Sequence, residues 1–193
     1  MGKKWNSITY GKLNIEEIPE KLQKFYQAHL VYGEPMEITI GTDSQNRTDY
    51  TKIVSVISII CRGHGGIFFH YTEYVDVIPS VKVKLEEETN RSLEIAQKLI
   101  DLLDTDIFQE IFQNCPISIH IDAGNAPYGK TKDLITSLVG WVHAMGYECE
   151  VKPNAWTAST IADRISKQEK TDGCRNLFSL LICFCNLHNT LER

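Results

Sequence analysis

The sequence predicts an α/β protein: a mixed five-stranded sheet in the order 3-2-1-4-5, with strand 2 antiparallel, flanked by helices. Three observations lead there. Apolar, β-branched runs at 36–43, 51–61 and 67–77 follow one another closely, the last two joined by the turn RGHGG. A long amphipathic stretch at 81–103 comes next, with Leu85, Ser92, Ala96, Leu99 and Leu103 on one stripe. Beyond it, short apolar runs alternate with helical periodicity, the pattern of crossovers between parallel strands.

Taken in order, Asn14 can cap a first helix over 14–32, whose Ile15, Ile18, Leu22 and Phe25 recur at helical spacing, with Pro19 confined to the first turn and Gly33 as the stop. The three strands form an antiparallel meander, and the helix over 81–103 follows. Pro116 opens a fourth strand, 131–145 is helical, 147–152 is a short fifth strand and 155–167 a last helix. In this order, βββαβαβα, each helical crossover sets the next strand parallel and on the right-handed side, so strand four lies beside strand one. One domain, 1–170, accounts for these elements. The tail, 171–193, stands outside the pattern as a helical or disordered segment, and its apolar run at 177–187 falls short of the roughly 20 residues a membrane span needs.

With 193 residues and 42% hydrophobic content, the chain can bury a full core. A net charge of −5 argues against broad electrostatic attachment to nucleic acid, but not against a nuclease, where bound metal supplies local positive charge. The N-terminal MGKKWNSITYG lacks the apolar core of a signal peptide, so a cytoplasmic protein with no membrane partner is expected. The six cysteines show no CxxC pairing and read as buried thiols.

The chemistry lies in the acids. ITIGTDS runs into Asp43 and ISIHIDAG into Asp122, and strand alternation puts both on the face opposite the isoleucines. Were the two strands parallel neighbours, the carboxylates would meet, repelling each other unless protonated or bridged by a cation. Either acid alone is an ordinary turn former; the pair is what points to a metal. On the long helix, Glu88 borders the buried stripe while Glu87 and Glu94 point away, although an EEE run also suits a solvated first turn. Asp163, in TIADRIS, projects away from Ile161, Ala162 and Ile165 and becomes the fourth candidate ligand, or else a surface acid beside Arg164. His120 shares the face of Asp122 and fits either a base or a buried structural histidine.

GTDSQ at 41–45, DAGNAPYGKTKDLI at 122–135, VGWVHAMGYECEVKPNAW at 139–156 and STIADR at 159–164, together with acids on the first strand, first long helix, fourth strand and last helix, resemble the ribonuclease H-like superfamily, and within it the uncharacterised YkuK-type bacterial family. The resemblance implies that fold. By analogy it implies phosphodiester chemistry with two Mg2+ or Mn2+ ions, and carries the ligand role onto Asp43, Glu88, Asp122 and Asp163. Asp43 would bridge the ions, Glu88 and Asp122 completing one and Asp163 the other. Lys130, Lys152 and Arg164 are candidates for holding the phosphates of a nucleic-acid substrate, whether RNA, DNA or hybrid. A scaffold of the same fold without turnover is the alternative.

A rival motif overlaps this segment. GNAPYGKT at 124–131 matches the P-loop pattern, with Lys130 and Thr131 in the phosphate- and magnesium-binding positions. The later strand that should end in a metal-binding acid ends instead in Lys152 and Pro153, and Pro127 removes an amide that a phosphate cradle needs. A nucleotide phosphohydrolase is therefore the lesser alternative.

Overall fold

The computed structural model describes residues 4–123, 130–152 and 157–167, with the side chains of Lys130 and Thr131 outside that set. A hairpin of β1 (Lys4–Ser7) and β2 (Gly11–Asn14) leads through a 3-10 turn at Ile15–Glu17 into α1 (Ile18–His29). The Glu17 carboxylate accepts the Asn14 backbone N–H at 2.7 Å, and Pro19 occupies the first turn of α1, where its missing N–H costs nothing. Then come β3 (Met36–Asn46), β4 (Thr51–Cys61), β5 (Gly65–Val75), α2 (Val81–Leu103), α3 (Gln109–Asn114), β6 (Ile117–Ile121), α4 (Lys130–Ala144), β7 (Glu148–Val151) and α5 (Thr157–Lys167).

The sheet has seven strands in the order β2-β1-β5-β4-β3-β6-β7, which corrects the five-strand expectation. The added hairpin joins the β5 edge where Asn6 pairs with His70. Its strands are four residues long and carry no apolar run. They are held by Trp5 and Leu13, cross-strand partners that are both buried, and by Gly11 at φ 71°. α3 is likewise additional to the expected elements. Strand β4 is antiparallel to both neighbours and buried on both faces, hence its near-continuous Ile, Val and Ser composition.

Helices cover the two faces unequally. On the face of Ile38, Ile40, Ile57 and Ile119, the helices α1 to α4 supply Leu22, Leu99, Leu103, Ile111 and Val142 to one large core. On the other face Val54, Val56 and Phe68 meet Ala158, Ile161, Ala162 and Ile165 of α5. The expected tail, 171–193, lies outside the described residues.

α5 sits unusually close to the sheet because Gly41 lies beneath it. A Cβ on Gly41 would stand 2.9 Å from the backbone N of Ser159 and 3.1 Å from the carbonyl carbon and Cβ of Ala158. The small residues Ala158, Ser159 and Ala162, all fully buried, form the facing side of the contact. Gly41→Ala should therefore lower unfolding stability by about 1–3 kcal/mol in urea denaturation, as overpacking does, and Gly41→Val should lower it further. A neutral result for both would show that α5 is not seated on β3.

Candidate metal centre

Strands β3 and β6 run parallel, with Ile38 beside Ile117 and each later pair in step as far as Thr42 and Ile121. The next pair in that register is Asp43 and Asp122. β6 ends at Ile121, but β3 continues to Asn46, with Asp43 paired to Val54 of β4. Asp43 therefore projects from within a strand rather than from its end, at the level where its parallel neighbour stops. Asp163 arrives from above, from the middle of α5. One carboxylate oxygen from each of Asp43, Asp122 and Asp163 lies within 4.8 Å of the others.

Such a cluster is electrostatically costly. Burial, together with the charges of Asp122 and Asp163, raises the Asp43 carboxyl from 3.8 to about 6, and the hydroxyl of Ser166, which donates to its Oδ2, only partly offsets this. The other two carboxylates carry lysines. Lys152 Nζ lies 2.5 Å from Asp122 Oδ1 and Lys167 Nζ 2.6 Å from Asp163 Oδ1. The hairpin between β3 and β4 fixes the end of α5 from below: Lys52 Nζ donates to the Ile165 carbonyl at 2.5 Å, and the Arg47 guanidinium to the Lys167 carbonyl at 2.8 Å. Both cations reach backbone carbonyls in the last described turn of α5.

Glu88 is not among the three acids that meet within 4.8 Å. α2 packs on the isoleucine face, where Ser92 donates to Thr42 at 2.9 Å and the Ser44 hydroxyl donates to Glu88 Oε1 at 2.6 Å. Ser44 alternates with Asp43 along β3, so Glu88 and Asp43 lie on opposite faces. Glu88 nevertheless lines a narrow cleft with Thr42, Ser92, His120 and Asp122. Burial raises its carboxyl to about 8, with Ser44 opposing the shift and Asp43 adding to it. The sequence stripe put Glu88 at the margin; it is 6% exposed and belongs to the buried face.

His120 lies one strand repeat before Asp122. It is buried, without a hydrogen-bond partner for either ring nitrogen among the described residues, and burial holds its imidazole down at about 4. Of the expected phosphate contacts, Lys152 is paired with Asp122, Arg164 is exposed on α5, and the Lys130 side chain lies outside the described residues. The P-loop-like segment is almost wholly outside them too. Ser166, Lys167, Arg47 and Lys52 were not expected. The spacing of Asp163 and Lys167, one helical turn apart, carried the signal for one of them; nothing local marks Lys52.

A family model described as ribonuclease H-like matches residues 17–167, a span holding all four acids and ending with α5. The chain belongs to the ribonuclease H-like family. Within that family it is similar to the uncharacterized protein YkuK of Bacillus subtilis (strain 168), at 31% identity over 171 residues that span 83% of this chain and 95% of that one. No solved structure matches. No helix among the described residues is long and apolar enough to cross a membrane.

The raised carboxyl of Asp43 makes the stability of this ribonuclease H-like domain pH-dependent. Its folded form holds a proton more tightly than the unfolded chain, so metal-free stability is greatest below pH 4 for this group and falls as pH rises towards 6. A rise from 3.8 to about 6 corresponds to roughly 3 kcal/mol. Asp43→Asn cannot ionise. In urea denaturation without metal it should match the wild type at pH 4 and exceed it by about 1–3 kcal/mol at pH 8. Equal stabilities at pH 8 would mean that Asp43 is not buried against its neighbours.

Proposed function

We propose that this protein is a divalent-metal-dependent nuclease hydrolysing phosphodiester bonds of nucleic acid. The observation that carries the proposal is the convergence of Asp43, Asp122 and Asp163 to within 4.8 Å in a ribonuclease H-like chain. Oxygen-only donors of this kind suit hard cations such as Mg2+ or Mn2+. When bound, such an ion supplies Lewis-acid activation of water and of the phosphodiester.

The chain's own residues do the rest. Asp43, Asp122 and Asp163 would hold an ion, and the Ser166 hydroxyl donates to Asp43 Oδ2 beside them. Glu88, in the cleft it shares with Asp122, would serve as a further carboxylate ligand once its proton, which burial favours, is lost. Arg47 and Lys52 are positioning residues: by anchoring the end of α5 they fix where Asp163 stands. Arg164, exposed on α5, would contact the phosphate backbone, as would Lys152, just beyond β7, when released from Asp122.

A catalytically silent nucleic-acid-binding protein is the second possibility, favoured by the lysines already paired with two of the three acids. Labelled RNA, DNA and hybrid duplexes incubated with Mn2+ separate the two. Wild-type protein should cleave at least one of them, and Asp43→Asn and Asp122→Asn should lose at least about 100-fold of that rate, a barrier change of about 2.7 kcal/mol. Equal background cleavage by all three proteins would contradict the nuclease proposal.

A further inference from the structure

We propose that Lys152 and Lys167 are resident counterions of the carboxylate cluster: they stabilise the metal-free fold and must be displaced by an incoming divalent cation, so each weakens metal binding. The inference rests on the metal-site reading above. Two elements converge here independently. Lys152 follows the end of β7 and reaches Asp122 Oδ1 at 2.5 Å, while Lys167 is the last residue of α5 and reaches Asp163 Oδ1 at 2.6 Å. With the Ser166 hydroxyl on Asp43 Oδ2, each of the three clustered carboxylates has one donor from the chain.

An ordinary i,i+4 pair such as Lys167 with Asp163 stabilises a helix only slightly. This one differs because its acceptor belongs to a cluster that would otherwise repel itself, and a second lysine from another element serves a second member. A cation held among the three acids would compete with the two ammonium groups for the charge of Asp122 and Asp163. It would also meet two positive charges on the same carboxylates, and a divalent ion feels each of them twice as strongly as a single charge would, more so in a partly buried site than in water. The two sides differ in mobility. The side chains of Lys152 and Lys167 are 38% and 62% exposed and can swing into solvent, whereas Asp122 is 9% exposed and is held where β6 ends. Exchange, rather than joint occupancy, follows.

Calorimetric titration with MnCl2 tests this on the full chain, using wild type, Lys152→Met, Lys167→Met, the double variant and the corresponding Arg variants. Each Met substitution should tighten Mn2+ binding about two- to fivefold and the pair about tenfold, the range that removal of partly exposed ion pairs allows. The metal-free melting temperature should fall at the same time. The Arg variants should bind Mn2+ no more tightly than wild type. A merely structural role predicts the opposite sign, since a loosened site binds metal less well. Lys167 is at an exposed helix end, so its variant keeps the test valid if Lys152→Met does not fold. Wild-type binding with equal or weaker binding by Lys167→Met and the double variant overturns the inference and leaves the metal site standing. Absence of Mn2+ binding by every protein overturns the metal site, and the inference with it.

Discussion

The close seat of α5 on β3 is the constraint on which the rest of the site depends. Parallel pairing of β3 and β6 can bring two carboxylates together unaided, but the third comes from a helix on top of the sheet. Asp163 reaches them only because Gly41 has no side chain and Ala158 and Ser159 are small enough to lie on it. The same face supplies Val54, Val56 and Phe68 as the apolar footing for Ile161 and Ile165. Lys52 and Arg47 then pin the far end of the helix by its carbonyls. Packing, capping and ligand placement are thus one arrangement, and a change to any of them moves Asp163.

That arrangement concentrates negative charge where burial makes charge expensive. The fold meets the cost with short-range donors: a hydroxyl on Asp43, an ammonium on each of Asp122 and Asp163, and a serine on the buried Glu88. Asp43 and Glu88 hold their protons to about pH 6 and 8 respectively, so the metal-free protein is in part a neutralised form of its own site. A divalent cation would replace several of these partial solutions at once. In the proposed site, metal affinity and metal-free stability are therefore opposed, through the protonated acids and the paired lysines alike.

Much of this was legible in the residues. Alternation in ITIGTDS and ISIHIDAG placed Asp43 and Asp122 on one face, and parallel pairing of the two strands brings them into register. The long helix begins and ends where its periodicity says. The N-terminal hairpin escaped notice because two four-residue strands held by Trp5 and Leu13 carry no periodic signal of their own. Glu88 shows a different limit. Helical periodicity gives the stripe a residue occupies, but which face of the sheet that stripe covers is decided by tertiary packing, and α2 packs opposite to Asp43. The donors Lys52, Arg47 and Lys152 are side chains from distant segments, whose partners no local pattern can name.

In the proposed site Asp43, Asp122 and Asp163 would hold a divalent cation jointly. Anomalous diffraction from crystals of the protein grown with MnCl2 tests it most directly. A manganese peak is expected between the three carboxylates, with Lys152 and Lys167 turned away from Asp122 and Asp163. Crystals saturated with Mn2+ that show no peak there, both lysines still paired with their aspartates, would contradict it.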